Sequence, residues 1–144
     1  MTARLPRLFG VLALLAFAIP ALAQTPVGTW RTIDDDTGEP RSLVRIYETG
    51  GQLVGEVVHL LPRGRTCQDC VAPYQGTTME GVRVLSGFTR DGNTWTGGRI
   101  TDPASGKEYK AKMRVERDGR LRVWGYVGVD TPLTRRNQRW ERVR

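Results

Sequence analysis

His59 is the only imidazole in the chain, Cys67 and Cys70 are its only thiols, and Asp34, Asp35, Asp36 and Glu39 crowd four carboxylates into one short stretch. Each set defines a chemistry to weigh. Nucleophilic hydrolysis needs an imidazole beside an activated Ser or Cys. His59 instead ends the candidate strand Val57-Val58-His59-Leu60-Leu61, and no Gly-x-Ser-x-Gly elbow supplies a nucleophile. It reads as a rim or half-buried side chain. The carboxylates fall within one turn and lack EF-hand spacing, so they read as a solvated loop. No catalytic residue is expected, and no metal or other cofactor.

Cys67-x-x-Cys70 would suggest redox chemistry or half a zinc site in a reducing compartment. Zinc needs further soft ligands, and His59 is the only one the chain offers. A thioredoxin-like role needs a helix whose N-terminus lowers the thiol pKa. This pair lies between Pro62-Arg63-Gly64-Arg65 and Pro73, a loop-like segment. A local disulfide that pins the loop is expected, consistent with an oxidising compartment.

The N-terminus supports that compartment. Arg4 and Arg7 precede an apolar run from Leu8 to Ile19, Pro20 breaks it, and Ala21-Leu22-Ala23 is a small-x-small cleavage site. Residues 1–23 read as a signal peptide cleaved after Ala23, leaving 24–144 as a single periplasmic or secreted domain. The run is short for a membrane span of about 20 residues, so the processed chain is expected to be soluble and not membrane-spanning.

The chain of 144 residues carries 22 Lys plus Arg against 15 Asp plus Glu, a net charge of +7. Losing Arg4 and Arg7 leaves it moderately basic. Such a surface can hold a polyanion, but export makes nucleic acid an unfitting partner. Arg135, Arg136, Arg139, Arg142 and Arg144 cluster around Trp140 and read first as a solvated strand face.

Helical periodicity is absent after Pro26, while runs rich in Val, Ile, Tyr, Trp and Thr recur between Gly-containing turns. The candidate strands are Val27–Ile33, Leu43–Glu48, Gln52–Leu61, Val82–Phe88, Thr94–Thr101, Lys107–Glu116, Leu121–Val129 and Arg136–Val143. Tyr109, Ala111, Met113 and Val115 alternate with Lys110, Lys112, Arg114 and Glu116, giving one inner face and one charged outer face. Gly50-Gly51, Asp91-Gly92, Asp102 to Gly106 and Asp118-Gly119 suit tight hairpins, so neighbours pair antiparallel in chain order. Closing that meander removes its two edges. The expected fold is all-β: an eight-stranded antiparallel up-and-down barrel, wide enough to fill with side chains or hold one small ligand.

Within such a barrel Tyr47, Phe88, Trp95, Trp124 and Tyr126 are the expected ligand-binding rings, joined by Arg99 and Tyr109 from the string around Asp102. The loop from Pro62 to Gly81 is longer than a hairpin needs, which favours function, and its disulfide favours order.

Several strings add a resemblance. Gly28-Thr29-Trp30, Leu85-Ser86-Gly87-Phe88, Gly97-Gly98-Arg99-Ile100-Thr101-Asp102-Pro103-Ala104-Ser105-Gly106-Lys107-Glu108-Tyr109, Val123 to Gly128, and Gln138-Arg139-Trp140-Glu141-Arg142 resemble, in order and spacing, the DUF2147 family of uncharacterised exported bacterial proteins. The resemblance implies a lipocalin or calycin-like barrel. Members often carry Gly-Arg-Thr-Gln-Thr-Trp near the end, where this chain has Arg135-Arg136-Asn137-Gln138-Arg139-Trp140, a more basic strand. Gly28-x-Trp30 is also similar to the motif that opens many lipocalins. That likeness implies barrel closure by Trp30 stacked with Arg139 or Arg142, an arrangement contributing about 0.5–2 kcal/mol.

The expected function is non-covalent binding of a small, largely apolar ligand. The alternative is a cell-envelope interaction module that uses its basic outer surface on a protein or polyanion.

Overall fold

The computed structural model describes residues 25–144, so the expected signal peptide over 1–23 lies outside the described residues. Eight strands follow: β1 (Gly28–Ile33), β2 (Pro40–Thr49), β3 (Gln52–Leu60), β4 (Arg83–Asp91), β5 (Thr94–Asp102), β6 (Lys107–Val115), β7 (Leu121–Tyr126) and β8 (Arg135–Arg142). Each pairs antiparallel with the next, and β1 pairs with β8 to close the barrel. No helix occurs among the described residues.

The turns explain the order. Between β5 and β6 the Asp102 carboxylate accepts hydrogen bonds from Ala104 N (3.0 Å) and Ser105 Oγ (2.7 Å), and Gly106 N donates to the Asp102 carbonyl at 2.7 Å. Short polar side chains that bond their own turn hold such corners. Three strand ends differ from expectation by three residues. β4 runs past Phe88 to Asp91 because Thr89, Arg90 and Asp91 pair with Thr96, Trp95 and Thr94 of β5. β2 begins at Pro40, ahead of Leu43, because Ser42 and Pro40 pair with Thr32 and Ile33 of β1. β7 stops at Tyr126, short of Val129, because Asp130 draws the next loop back onto the barrel wall. Its carboxylate takes hydrogen bonds from Lys112 Nζ (2.8 Å), Arg135 Nε (3.0 Å) and Trp124 Nε1 (3.4 Å).

The core concentrates at one end of the barrel, where Trp30, Leu53, Phe88, Met113 and Leu121 are fully buried. Burial of each stabilises the fold by about 1.5–3 kcal/mol. Large side chains sit on glycines across the sheet: a Cβ on Gly98 would come within 2.4 Å of the Phe88 ring, and one on Gly55 within 2.9 Å of Leu85. The end is sealed by the segment before β1. Trp30 Nε1 donates to the Pro26 carbonyl at 2.7 Å, while Arg142 donates to the carbonyls of Val27 (3.0 Å) and Thr25 (2.6 Å). Gly28, at φ +141°, leaves room for that guanidinium, because a Cβ there would meet Arg142 Nη1 at 2.7 Å.

Candidate functional site

Filling is confined to the sealed half. Toward the opposite end, where β1, β3, β5 and β7 finish, a cavity of about 550 Å³ opens between the strands. Its wall is apolar because the inward residues of successive strands are apolar: Val44, Val57, Ile100, Tyr109, Val123 and Trp140 all border it. Alternation puts them there. Tyr109 and Ala111 face inward from β6 as the sequence pattern requires, with Ala111 fully buried.

Few polar groups interrupt this wall, and most of them are paired. The hydroxyls of Thr32 and Ser42 lie 2.7 Å apart, and Ser42 N donates to Thr32 Oγ1 at 3.1 Å. Gln138 Oε1 accepts from Trp140 Nε1 at 3.2 Å, which fixes the indole against the cavity. Charge is restricted to the rim. Arg41, Arg65, Arg136, Asp69 and Asp102 border it, and Arg41 and Arg136 bind the carboxylates of Asp34 (3.1 Å) and Asp35 (3.4 Å). Asp34 sits below the usual aspartate range, first because the backbone N–H groups of Thr37 and Asp36 donate to it, then through the Arg41 charge. The acidic turn is therefore a capped loop in which Asp34 and Asp35 are spent on neighbours while Asp36 and Glu39 face water.

The 61–82 loop partly roofs the opening. Cys67 and Cys70 form the expected disulfide, with Cα atoms 5.5 Å apart, and both border the cavity. Cys67 N donates to Thr77 O at 2.8 Å and Gly76 N to Cys67 O at 2.9 Å, tying the two limbs of the loop together. Val71 N reaches the Pro103 carbonyl at 3.2 Å, docking the loop on the β5 to β6 turn.

Of the residues expected to bind ligand, Tyr109 lines the wall. Tyr126 borders the rim, but its ring lies 5.6 Å from Lys112 Nζ on the outer face, so backbone rather than ring reaches the opening. The remaining five do not border the cavity. Phe88 belongs to the sealed core, and Trp95 packs there beside Met113. Tyr47 points outward, its hydroxyl donating to Glu56 Oε1 at 2.6 Å. Arg99 also points outward and binds Glu108 at 2.9 Å. Trp124 is buried on the outer wall, between Arg122 and Arg135 and beneath the Asp130 loop. Alternation decides this, because Val123 and Gly125 take the inward positions that flank it.

The closing pair is Trp30 with Arg142, whose guanidinium carbon lies 4.2 Å from the ring centroid. Arg139 points outward to Glu116 at 2.9 Å. Trp140, Gln138 and the Thr32 and Ser42 hydroxyls are site residues that composition alone did not single out. For Trp140 and Gln138 the signal was the alternation of Arg136, Gln138, Trp140 and Arg142 along β8, readable once Trp140 is known to face inward.

His59 does not border the cavity; it is buried on β3 opposite Leu43. Among the described residues no three His, Cys, Asp or Glu side chains are grouped to hold a metal ion. No helix among them is long and apolar enough to cross a membrane.

A profile of the DUF2147 family, described as an uncharacterized protein conserved in bacteria, matches residues 28–142. The chain belongs to the DUF2147 family. The match spans every strand of the barrel. Among solved structures, this DUF2147 chain is similar to HP1028 from the human pathogen Helicobacter pylori, a protein described as belonging to the lipocalin family. The TM-score is 0.67 at 16% identity, and the match covers 82% of each chain. At that identity the likeness is one of fold, and this DUF2147 barrel is lipocalin-like. No curated protein matches the chain.

Proposed function

We propose that this protein is exported to the periplasm or beyond the cell and binds one small, largely apolar molecule non-covalently inside the barrel, without converting it. The observation that carries the reading is the cavity itself: about 550 Å³, sealed below by Trp30 and Arg142 and walled by apolar side chains. Pockets of roughly 300–1,000 Å³ with apolar walls and a few placed polar groups are the usual form of small-molecule sites. The Thr32 and Ser42 hydroxyls and the Gln138 amide supply orientation, while the charged rim stays in water. Export rests on the leader pattern over residues 1–23 and agrees with the disulfide.

Trp140 provides the test, because a ligand in the cavity touches its indole. Purified protein titrated with long-chain fatty acids, alcohols and other amphiphiles should show saturable change in Trp emission with one class. Native mass should rise by a single ligand. Trp140→Phe should remove most of the emission change while the mass shift persists. Absence of saturable binding across all classes would overturn the reading. Cell fractionation and N-terminal sequencing test export, with a mature chain beginning at Gln24 expected.

A further inference from the structure

The loop joining β7 to β8 is unusual in what it offers to water. Leu133 is 97% exposed, Val129 75% and Val127 65%, the three most exposed large apolar side chains described. The loop is also rigidly braced. Asp130 is held by Lys112, Arg135 and Trp124, and Thr134 Oγ1 donates to the Val129 carbonyl at 2.6 Å. A braced loop that presents apolar side chains outward has already lost the conformational entropy that docking would otherwise cost.

From this loop a cationic face runs along the outer wall of the barrel toward the sealed end. Strand register sets Arg114 directly opposite Arg122, and Arg122 directly opposite Arg139, so three arginines form one row across β6, β7 and β8. Lys110, opposite Tyr126, extends the face toward the loop. Like charges placed directly across a sheet destabilise it, and here they are incompletely answered. Arg139 has Glu116, but Lys110, Arg114 and Arg122 have no carboxylate partner among the described residues, Arg122 being held by the Asn137 side-chain oxygen at 2.6 and 2.9 Å and stacked over the Trp124 ring. Burial and the adjacent Arg114 charge pull the Arg122 pKa downward, which reports the same crowding.

We infer that the β7 to β8 loop and the adjoining outer face of β6, β7 and β8 dock the protein on an anionic lipid bilayer. A barrel wall with an apolar protrusion at one end and unpaired cations along its outer face fits that partner on both counts when the wall lies along the bilayer. The tip enters the headgroup and acyl boundary, and the arginine row meets the lipid phosphates. A soluble polyanion would answer the charge yet leave Leu133 and Val129 in water. A protein partner would have to supply a socket for a convex tip, whereas a lipid surface accepts any protrusion of this size. The docking is independent of cavity occupancy, and of the cavity rim it brings only the stretch formed by Val127 and Thr134 to the lipid surface.

The test uses residues 24–144, which hold every strand of the closed barrel, and co-sedimentation with vesicles. Vesicles of phosphatidylglycerol mixed with phosphatidylcholine should retain the protein, and vesicles of phosphatidylcholine alone should retain far less. Leu133→Asp, at a site so exposed that the fold is untouched, should weaken retention by about tenfold or more. Lys110→Gln and Arg114→Gln should each weaken it about fivefold. Equal retention on both vesicle types, or none on either, overturns the inference. So does retention that falls with the charge variants and salt but not with Leu133→Asp, since that pattern marks adsorption to any polyanion. Ligand titration of the Leu133→Asp protein should be unchanged, separating this surface from the cavity.

Discussion

The Arg142 guanidinium lies 4.2 Å over the Trp30 indole while donating to the carbonyls of Val27 and Thr25, so one side chain ties the last strand to the first and to the segment that seals the barrel. Register sets the two residues directly opposite one another. A cation over an indole contributes about 0.5–2 kcal/mol, and hydrogen bonds from a charged donor add to it.

Arg142→Ala should therefore cost about 2 kcal/mol and lower the melting midpoint by roughly 8 °C. Arg139→Ala removes only an exposed pair with Glu116 and should cost less than about 1 kcal/mol. Thermal melts of the two proteins, side by side, check the assignment. Equal losses would mean that Arg142 does not carry the closure.

Overpacking tests the sealed core. In Gly98→Ala the new methyl would stand 2.4 Å from the Phe88 ring, which is too bulky to step aside freely. A loss of about 1–3 kcal/mol is expected by denaturant unfolding. Adding Phe88→Leu should recover part of it, giving a coupling of about 1 kcal/mol between the two sites. Strict additivity would show that the ring does not rest on that glycine.

Gly125 gives the opposite case, a glycine bordering open space. A Cβ there would make ordinary contact with Ile100 Cγ2 (3.4 Å) and Tyr109 Cβ (3.5 Å). Gly125→Leu should thus fill the cavity at a stability change within about 1.5 kcal/mol, while ligand affinity falls about tenfold or more. Binding that survives this substitution would locate the ligand elsewhere.

Acid should release the β7 to β8 loop before the barrel unfolds. Burial raises the Asp130 pKa, but the Lys112 and Trp124 hydrogen bonds and the charges of Lys112 and Arg135 outweigh it, leaving the carboxyl below its ordinary value of 3.8. A depressed folded pKa means that Asp130 contributes its full stabilisation above that ordinary value and loses it as pH falls further. Amide exchange in residues 127–134 should accelerate below about pH 4 while the core strands stay protected. In Asp130→Asn the loop should exchange fast at neutral pH already. A loop equally protected at low pH would show that the carboxylate is not what holds it.

Local patterning determined much of this protein. Period-two alternation with β-branched and aromatic residues marked eight strands, and Asp-Gly and Gly-Gly turns ordered them as hairpins. The edges left by an open meander implied closure. Cys67 and Cys70, three residues apart in the loop between Pro62 and Pro73, could reach one another without help from the rest of the fold. What those patterns could not decide is which side of the wall an aromatic residue occupies. Val123, Trp124, Gly125 and Tyr126 are apolar or neutral on both parities, so alternation has no phase there; pairing with β8, whose Trp140 and Gln138 face inward, places Trp124 outside and Gly125 within. A break in register opposite Leu43 and Val44 resets that phase along β3, so that Val57 and Leu60 border the cavity and His59 does not. The tertiary structure also decided that Phe88 and Trp95 fill one end while the other stays open. Volume is a sum over all eight strands, and no single strand records its neighbours' side chains.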